Sequence, residues 1–458
     1  MAAADVNLAD LLLDHPFRDD ELLLHTAARS MTAGDARSSA HRIAAALVDP
    51  TGDARGRAIA VQLPNGPDLV ATMAAVWIAG GVYVPVNPRH PQAEVDAILE
   101  QTAPIALVTE SGLTRLDSDR RYDDDVAFVM WTSGTTGRPK PIHHTHTAYV
   151  ELLDRVLGPL RAAPPARSKR PTPNLIPVSM ALNAGLYNAL FGLRAGAALV
   201  MMDRFEPRAF AELVRRFEIR STVLPPAAMA ALTDSDVDDL SPLKYVRSIT
   251  APLSPLQAQR FAARFPALVL NGYGQAEIGE VIGWTAADAK EHPEKIGAVG
   301  RAHPGVDLRI GDENRLLVRP PNTAVGIEDR IDADGFIDTG DLARIDADGF
   351  VWIEGRAGDV INRGGNKVFP EAVEEVLRLS PAVEDVAVVG RADDRLGEVP
   401  VAWVVGRRVD DAELLALCRD HLVAYKIPVA FEWIDVVPRN EAGKVQRHEL
   451  DARGRRPT

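Results

Sequence analysis

Trp131-Thr132-Ser133-Gly134-Thr135-Thr136-Gly137-Arg138-Pro139-Lys140 is the stretch on which the reading of this chain turns. An apolar run, Val126-Ala127-Phe128-Val129-Met130-Trp131, leads into it and predicts a buried strand. Thr and Ser hydroxyls, two glycines, an arginine and a lysine follow. Hydroxyls and backbone N–H groups ring an anion, glycine lets the backbone approach it, and lysine adds a point charge. The pattern is phosphate-handling chemistry on a loop after a strand. It is not a Walker A loop, which places four residues between a glycine and the Gly-Lys pair and a Ser or Thr after the lysine. Here Lys140 lies between Pro139 and Pro141, so no helix starts cleanly at the lysine. Taken alone, the stretch also reads as a polar surface turn.

The totals bound the class. A chain of 458 residues is long enough for about two to four folding units with large cores. Apolar residues make up 46% and charged residues 25%, the balance of an ordinary globular protein. A net charge of -13 argues against a nucleic-acid binder. One cysteine, Cys418, rules out an intramolecular disulfide framework and fits a cytoplasmic protein. The first ten residues carry acids and no basic n-region, so no signal peptide is expected. No apolar run reaches the length of a membrane span.

Periodicity predicts helices over 37–47, 68–79, 92–101 and 147–157, with short strands at 58–63, 82–86 and 105–109. Strands alternating with helices at short intervals argue for α/β architecture with parallel sheet. Residues 161–174 read as an exposed loop, and 177–202 as buried helices ending in a strand. From 306 to 354 the strands shorten and the turns become Asp/Gly-rich, which is hairpin chemistry. Asp332-Ala333-Asp334-Gly335 and Asp346-Ala347-Asp348-Gly349 lack the later ligands of a calcium loop. Residues 355–365 read as a glycine-punctuated linker, with a small α+β unit beyond it.

Three more constellations carry chemistry. Asn271-Gly272-Tyr273-Gly274-Gln275-Ala276-Glu277 follows a strand and offers close backbone approach, an aromatic face and a carboxylate for a divalent cation. A plain strand–helix turn is its alternative. Asp338-Thr339-Gly340-Asp341 places a carboxylate where it can grip a diol, or forms a simple hairpin turn. Pro438-Arg439-Asn440-Glu441-Ala442-Gly443-Lys444 puts a lysine on a glycine-bearing turn.

In this order and at these spacings the motifs resemble the adenylate-forming superfamily: acyl-CoA and aryl-CoA synthetases, peptide-synthetase adenylation domains and beetle luciferases. Val82-Tyr83-Val84-Pro85-Val86-Asn87-Pro88, Gly355-Arg356 and Gly364-Gly365-Asn366-Lys367-Val368-Phe369-Pro370 also fit. The resemblance covers nearly the whole chain. It implies a large N-terminal domain over 1–357, with mixed and parallel sheets packed by helices, that binds ATP and the acid. It implies a small mobile α+β domain over 358–458 that carries a catalytic lysine.

The resemblance also implies roles. Thr132, Ser133, Gly134, Thr135, Thr136, Gly137 and Lys140 would wrap the ATP phosphates. Tyr273 would lie against adenine, with Thr250, Ala251 and Pro252 on the other side and Asn271, Gly272, Gly274 and Gln275 completing the nucleotide segment. Glu277 would hold Mg²⁺, Asp341 and Arg356 the ribose hydroxyls. Lys444 would bridge the acid's carboxylate and the α-phosphate. Lys367 would face the nucleotide or thiol after the small domain swings about Gly358, at a position usually filled by Asp or Lys. Where the family usually has Thr-Glu this chain has Ala276-Glu277, which removes a hydroxyl donor.

The acid pocket is expected along Pro177-Val178-Ser179-Met180-Ala181-Leu182-Asn183-Ala184-Gly185. Met180, Asn183 and Ala184 are its expected lining. An amide at Asn183 does not neutralise an ammonium ion, so an α-amino acid is disfavoured, while small neighbours leave room for an aryl or small functionalised acid. His143-His144-Thr145-His146 lacks carboxylate or cysteine partners; His146 is expected to be structural or pocket-lining. The implied activity is ATP-dependent formation of an acyl adenylate with pyrophosphate release, then thioester formation with CoA. The alternatives are loading of a separate carrier protein, activation of an unusual acid such as nitrite, and a nucleotide-binding sensor without turnover.

Overall fold

The computed structural model describes residues 6–48, 54–131, 141–161, 171–440 and 444–454. The strand Val126–Trp131 is buried inside a six-stranded sheet and pairs in parallel with Val82–Pro85, which pairs in parallel with Ala58–Gln62. On its other edge it pairs antiparallel with Pro141–Thr145, Trp131 lying opposite Pro141. The phosphate-loop residues between these strands, from Thr132 to Lys140, lie outside the described residues. Their flanks are nonetheless fixed in adjacent register.

The helix Pro67–Ile78 starts with proline at its first turn, where no amide hydrogen is needed. It is apolar almost all round, with Leu69, Val70, Met73, Val76 and Trp77 buried, so it is sandwiched. Trp77 Nε1 donates to the Ala127 carbonyl at 2.7 Å, tying the helix to the central strand. The helix Ala33–Leu47 begins four residues before its expected start because Thr32 caps it, accepting from the Asp35 amide.

A nine-stranded sheet carries the second half of the large unit. Asn174–Ile176, Ser221–Val223, Tyr245–Ser248 and Leu268–Gln275 run parallel within it, and Gly279–Gly283 returns antiparallel to Leu268–Gln275. Helix Asn183–Arg194 packs close to the turn before it. A Cβ at Gly185 would lie 2.1 Å from the Ser179 carbonyl oxygen, so only glycine fits there.

Asp307–Ile310, Arg315–Arg319, Ile337–Ile345 and Val351–Arg356 form a four-stranded antiparallel sheet. Its Asp-rich turns are closed by their own carboxylates: Asp332 Oδ1 accepts from the Asp334 and Phe336 amides at 3.0 and 2.8 Å, and Asp346 repeats the pattern. Beyond it, Ile361, Val368, Val373, Leu377, Val386 and Val404 share a separate core. The expected linker over 355–365 is instead mostly ordered pairing. Gly355 and Arg356 close one strand, Ile361–Arg363 forms another, and only Ala357–Asp359 between them is a 3₁₀ turn. Glycine there serves turns at the ends of strands. Among the described residues no helix is long and apolar enough to cross a membrane.

Candidate active site

The second motif is not a strand–helix turn. The strand Leu268–Gln275 runs through Asn271, Gly272, Tyr273, Gly274 and Gln275 and turns into a hairpin with Gly279–Gly283. A Cβ at Gly274 would sit 2.1 Å from the Gly279 carbonyl oxygen, so the glycines permit the close pairing of this hairpin. Asn271 Nδ2 donates to the Ala298 carbonyl at 3.4 Å, and its Oδ1 accepts from the Gly272 amide at 3.1 Å. Beside this strand Thr250 holds φ +84°, a strained value for a β-branched residue. Its Oγ1 is buried without a hydrogen-bond partner. Ala251 and Pro252 follow it, half-buried and exposed.

Asp341 anchors the third motif, inside the strand Ile337–Ile345 and not in a hairpin turn. A bulge against the strand Arg315–Arg319, with Gly340 at φ +74°, turns Asp341 toward the first hairpin. Arg356 Nε lies 2.9 Å from Asp341 Oδ1, while Asp341 Oδ2 accepts from the Tyr273 hydroxyl and from Gln275 Nε2 at 3.1 Å. Burial, then the Asp341 carboxylate, pushes the Tyr273 hydroxyl well above its ordinary pKa, so it donates as a neutral phenol. Gln275 Nε2 also reaches the Thr339 carbonyl at 2.7 Å.

Sequence reasoning missed Arg330. Its Nη1 donates to Glu277 Oε1 at 2.8 Å, and its Nη2 to Gln275 Oε1 at 2.9 Å and the Asp338 carbonyl at 3.0 Å. The only local signal was a lone arginine after Glu328 and Asp329. Glu277 is nearly buried, and its main-chain carbonyl accepts from the Ala324 amide at 2.8 Å. Among the described residues no three His, Cys, Asp or Glu side chains form a metal cage. A single carboxylate still suits Mg²⁺, which keeps waters and takes phosphate oxygens as its other ligands. The donor chemistry therefore fits: Glu277 would be the protein ligand, with Arg330 beside it.

Lys444 meets this cluster from the C-terminal unit. Its amide donates to Asn440 Oδ1 at 3.0 Å, and Arg439 bridges to Val445 across the turn. Burial and the charge of Arg356 pull the ammonium below its ordinary pKa, while Asp341 and Glu277 oppose this. The structure thus gathers Tyr273, Gln275, Glu277, Asp341, Arg356 and Lys444 into one site. Lys367 is not part of it: its Nζ lies 3.5 Å from Glu313 Oε1 on the surface. Gly358 sits in the 3₁₀ turn Ala357–Asp359, where an added Cβ would meet open space.

Of the expected pocket residues, Met180 is fully buried, and Asn183 opens the helix Asn183–Arg194 with its Oδ1 buried and unpartnered. Ala184 is buried beside it. His146 is structural. Its Nδ1 accepts from the Leu8 amide at 3.0 Å and its ring meets Trp77 edge-on, so it ties the N-terminal segment to the core. Burial lowers its pKa to about 4, and that of His144, stacked on Phe128, to about 3.

Residues 15–123 and 116–326 match the family model described as AMP-binding enzyme, and 372–444 match the AMP-binding enzyme C-terminal domain. The chain belongs to the AMP-binding enzyme family. This AMP-binding enzyme is 28% identical to 3-[(3aS,4S,7aS)-7a-methyl-1,5-dioxo-octahydro-1H-inden-4-yl]propanoyl:CoA ligase of Mycobacterium tuberculosis, over 97% of this chain and 99% of the relative. It is 28% identical to 4-coumarate--CoA ligase 5 of Oryza sativa subsp. japonica, over 95% of this chain and 92% of the relative. Among solved structures it superposes on the amide bond synthetase McbA from Marinactinospora thermotolerans with TM-score 0.84 and 26% identity, over 98% of this chain and 99% of that one. The AMP-binding match spans both the hairpin motif and the first strand of the phosphate-loop flank.

Proposed function

We propose that this AMP-binding enzyme is an ATP-dependent ligase that joins a small carboxylic acid to AMP, releases pyrophosphate, and passes the acyl group to the thiol of coenzyme A. The observation that carries the reading is Lys444, half-buried and within electrostatic reach of Asp341, Arg356 and Glu277. An attacking carboxylate and an α-phosphate repel each other. A lysine held between them offsets both charges as they converge. In this reading Asp341 and Arg356 hold the ribose diol, Tyr273 and the strained segment at Thr250 flank the base, and Thr132 to Lys140 guide the departing pyrophosphate. Glu277 holds Mg²⁺, which when bound neutralises phosphate charge. Arg330 holds one oxygen of the Glu277 carboxylate and competes with the metal for it. Rotation about Gly358 withdraws Lys444 and brings residues 358–458, with Lys367, round for thiol attack.

Two relatives named CoA ligases, matched over nearly their full length, favour CoA as acceptor and an aryl or ring-bearing acid as substrate. A solved relative named amide bond synthetase makes an amine the alternative acceptor. The test is pyrophosphate release across a panel of acids, with products identified by mass after addition of CoA, a carrier protein or an amine. Acid-dependent release with a CoA thioester supports the reading. ATP binding without acid-dependent release refutes it in favour of a sensor.

A further inference from the structure

A second set of buried polar groups lies beneath the same hairpin. Glu280, on the strand Gly279–Gly283, is buried, and its Oε1 accepts from Arg247 Nη2 and lies 3.1 Å from His303 Nε2. Its Oε2 is buried with no hydrogen-bond partner. A Cβ at Gly272 would lie 3.1 Å from Glu280 Oε1, and one at Gly283 would lie 2.8 Å from it. The cluster is therefore directly under the glycines of the nucleotide motif.

Tyr187, on the helix that begins at Asn183, lies within electrostatic reach of Glu280, Arg247 and Arg155. Its hydroxyl is buried without a partner, as is Asn183 Oδ1 one turn earlier on the same helix face. Arg155 comes from the helix His146–Arg161 and is only 9% exposed. All three of its guanidinium nitrogens are buried with no hydrogen-bond partner. Asp154 pairs with Arg194 at 2.7 Å, and exposed Glu151, whose charge reaches Arg155, accepts from Asn322 and makes no hydrogen bond to Arg155.

An arginine buried without any acceptor is rare, because the five N–H donors lose water and gain nothing. An anion is the partner that meets both the charge and the donors, and a carboxylate matches the guanidinium fork with two parallel hydrogen bonds. Tyr187, within reach of both Arg155 and Glu280, links Arg155 to the hairpin of the nucleotide motif, and Asn183 lies one turn earlier on the same helix. We propose that Arg155, assisted by Tyr187 and Asn183, receives the distal carboxylate of a dicarboxylic acid substrate. This deepens the ligase reading and rests on it. A monoacid would enter with Arg155 still unpaired.

The test uses chain-length pairs: succinate, adipate and suberate against butanoate, hexanoate and octanoate, with the corresponding half-amides, and 4-carboxycinnamate against 4-coumarate. Pyrophosphate release and calorimetric binding of each acid without ATP are read on the full chain and on Arg155→Gln and Arg155→Lys. The expected result is a preference of about a hundredfold or more in kcat/KM for one diacid over its monoacid and half-amide, as for other sites built around a buried polar partner. Arg155→Gln is expected to erase at least tenfold of that preference, through KM, and Arg155→Lys to restore part of it. Calorimetry reads the same preference whether or not turnover occurs, so a failure of ligase activity is distinguishable from a failure of this assignment. Equal use and equal binding of diacids, half-amides and monoacids overturns it. So does a diacid preference that survives Arg155→Gln. Should Arg155→Gln fail to fold, Tyr187→Phe is expected to reduce the diacid preference, and no reduction overturns the assignment.

Discussion

Replacing Arg447 with methionine probes what holds Lys444 in place. Arg447 lies three residues after the lysine and joins four groups: Glu374 Oε1 at 2.5 Å, the Val388 carbonyl at 2.8 Å, Glu371 Oε1 at 2.8 Å and Asp359 Oδ2 at 3.3 Å. These partners link the lysine-bearing turn to the helix Pro370–Leu377, to the C-terminal sheet and to the turn at Gly358. Burial would raise the Glu374 carboxyl, but Arg447 and then Arg378 hold it below its ordinary pKa. Methionine keeps the apolar stem and removes every donor. Asp359 is about a third exposed and regains water, so it adds little; the Glu371 carboxyl, raised by burial and with Oε2 already unpartnered, takes up a proton once Arg447 is gone. Glu374 is left buried with the Val388 amide at 2.9 Å and Arg378 at 3.7 Å. Breaking a fully buried pair costs about 3–5 kcal/mol, and these two remaining partners put this case at the low end, about 3 kcal/mol. Hydrogen exchange reads that loss locally. Amides of the strands Val383–Asp393 and Gly397–Gly406 should lose about a hundredfold in protection, because 1.36 kcal/mol is a factor of ten. Those of the strands Ala58–Gln62 and Val82–Pro85 should not change. Adding Glu374→Gln to Arg447→Met should recover part of the protection, since no unpaired charge then remains. Protection within threefold of the parent would show that this network does not hold the unit together.

Other outcomes follow from single contacts. His144 and His146 stay neutral in the folded core, with pKa values of about 3 and about 4 against an unfolded value near 6.5. The unfolded chain binds protons first, so stability is full above about pH 6.5 and falls as pH drops toward 4, by several kcal/mol in total. Urea unfolding at pH 7 and pH 4.5 should show this, and His146→Gln should flatten the slope; an unchanged slope sinks the assignment. Arg330→Gln frees Glu277 Oε1 from a partly exposed pair worth about 1.5 kcal/mol, so the Mg²⁺ concentration for half-maximal ATP binding should fall about tenfold. A higher Mg²⁺ requirement would instead make Arg330 a support that the metal site needs. Ala276→Thr restores a hydroxyl beside Glu277, and adenylation should rise about fivefold; no change would mean that another group already fills that role.

Elements defined by their own neighbours in sequence were legible. The strand Val126–Trp131, the helix Pro67–Ile78 and the helix at Asn183 all follow from local apolar patterning. The site motifs were legible as residue types, since phosphate, ribose and carboxylate each need a recognisable partner. Where reading failed, a distant partner decided. The alternative of a strand–helix turn at Gly272 and Gly274 fails, because they lie in a strand against which Gly279–Gly283 pairs. Residues 355–365 looked like a linker, yet Asn366–Val368 pairs with Ile361–Arg363. Arg330 meets Glu277 across 53 positions, and no local pattern announces such a contact. Arg155 did leave a trace. It lies three residues after Leu152, at the edge of the stripe that Tyr149, Leu152, Leu153 and Val156 bury, and is itself buried there.

In the proposed function the described arrangement serves the adenylation step, with Lys444 at the reacting carboxylate. The most direct measurement separates the two half-reactions in Lys444→Ala, using the best acid from the pyrophosphate panel and its synthetic acyl adenylate. Loss of one preorganised group at a transition state costs about a hundredfold to a thousandfold. Pyrophosphate release should therefore fall by at least that much, while conversion of supplied adenylate to the CoA thioester stays within a few-fold of the parent chain. Equal loss of both steps, or adenylation that survives the substitution, would contradict the account.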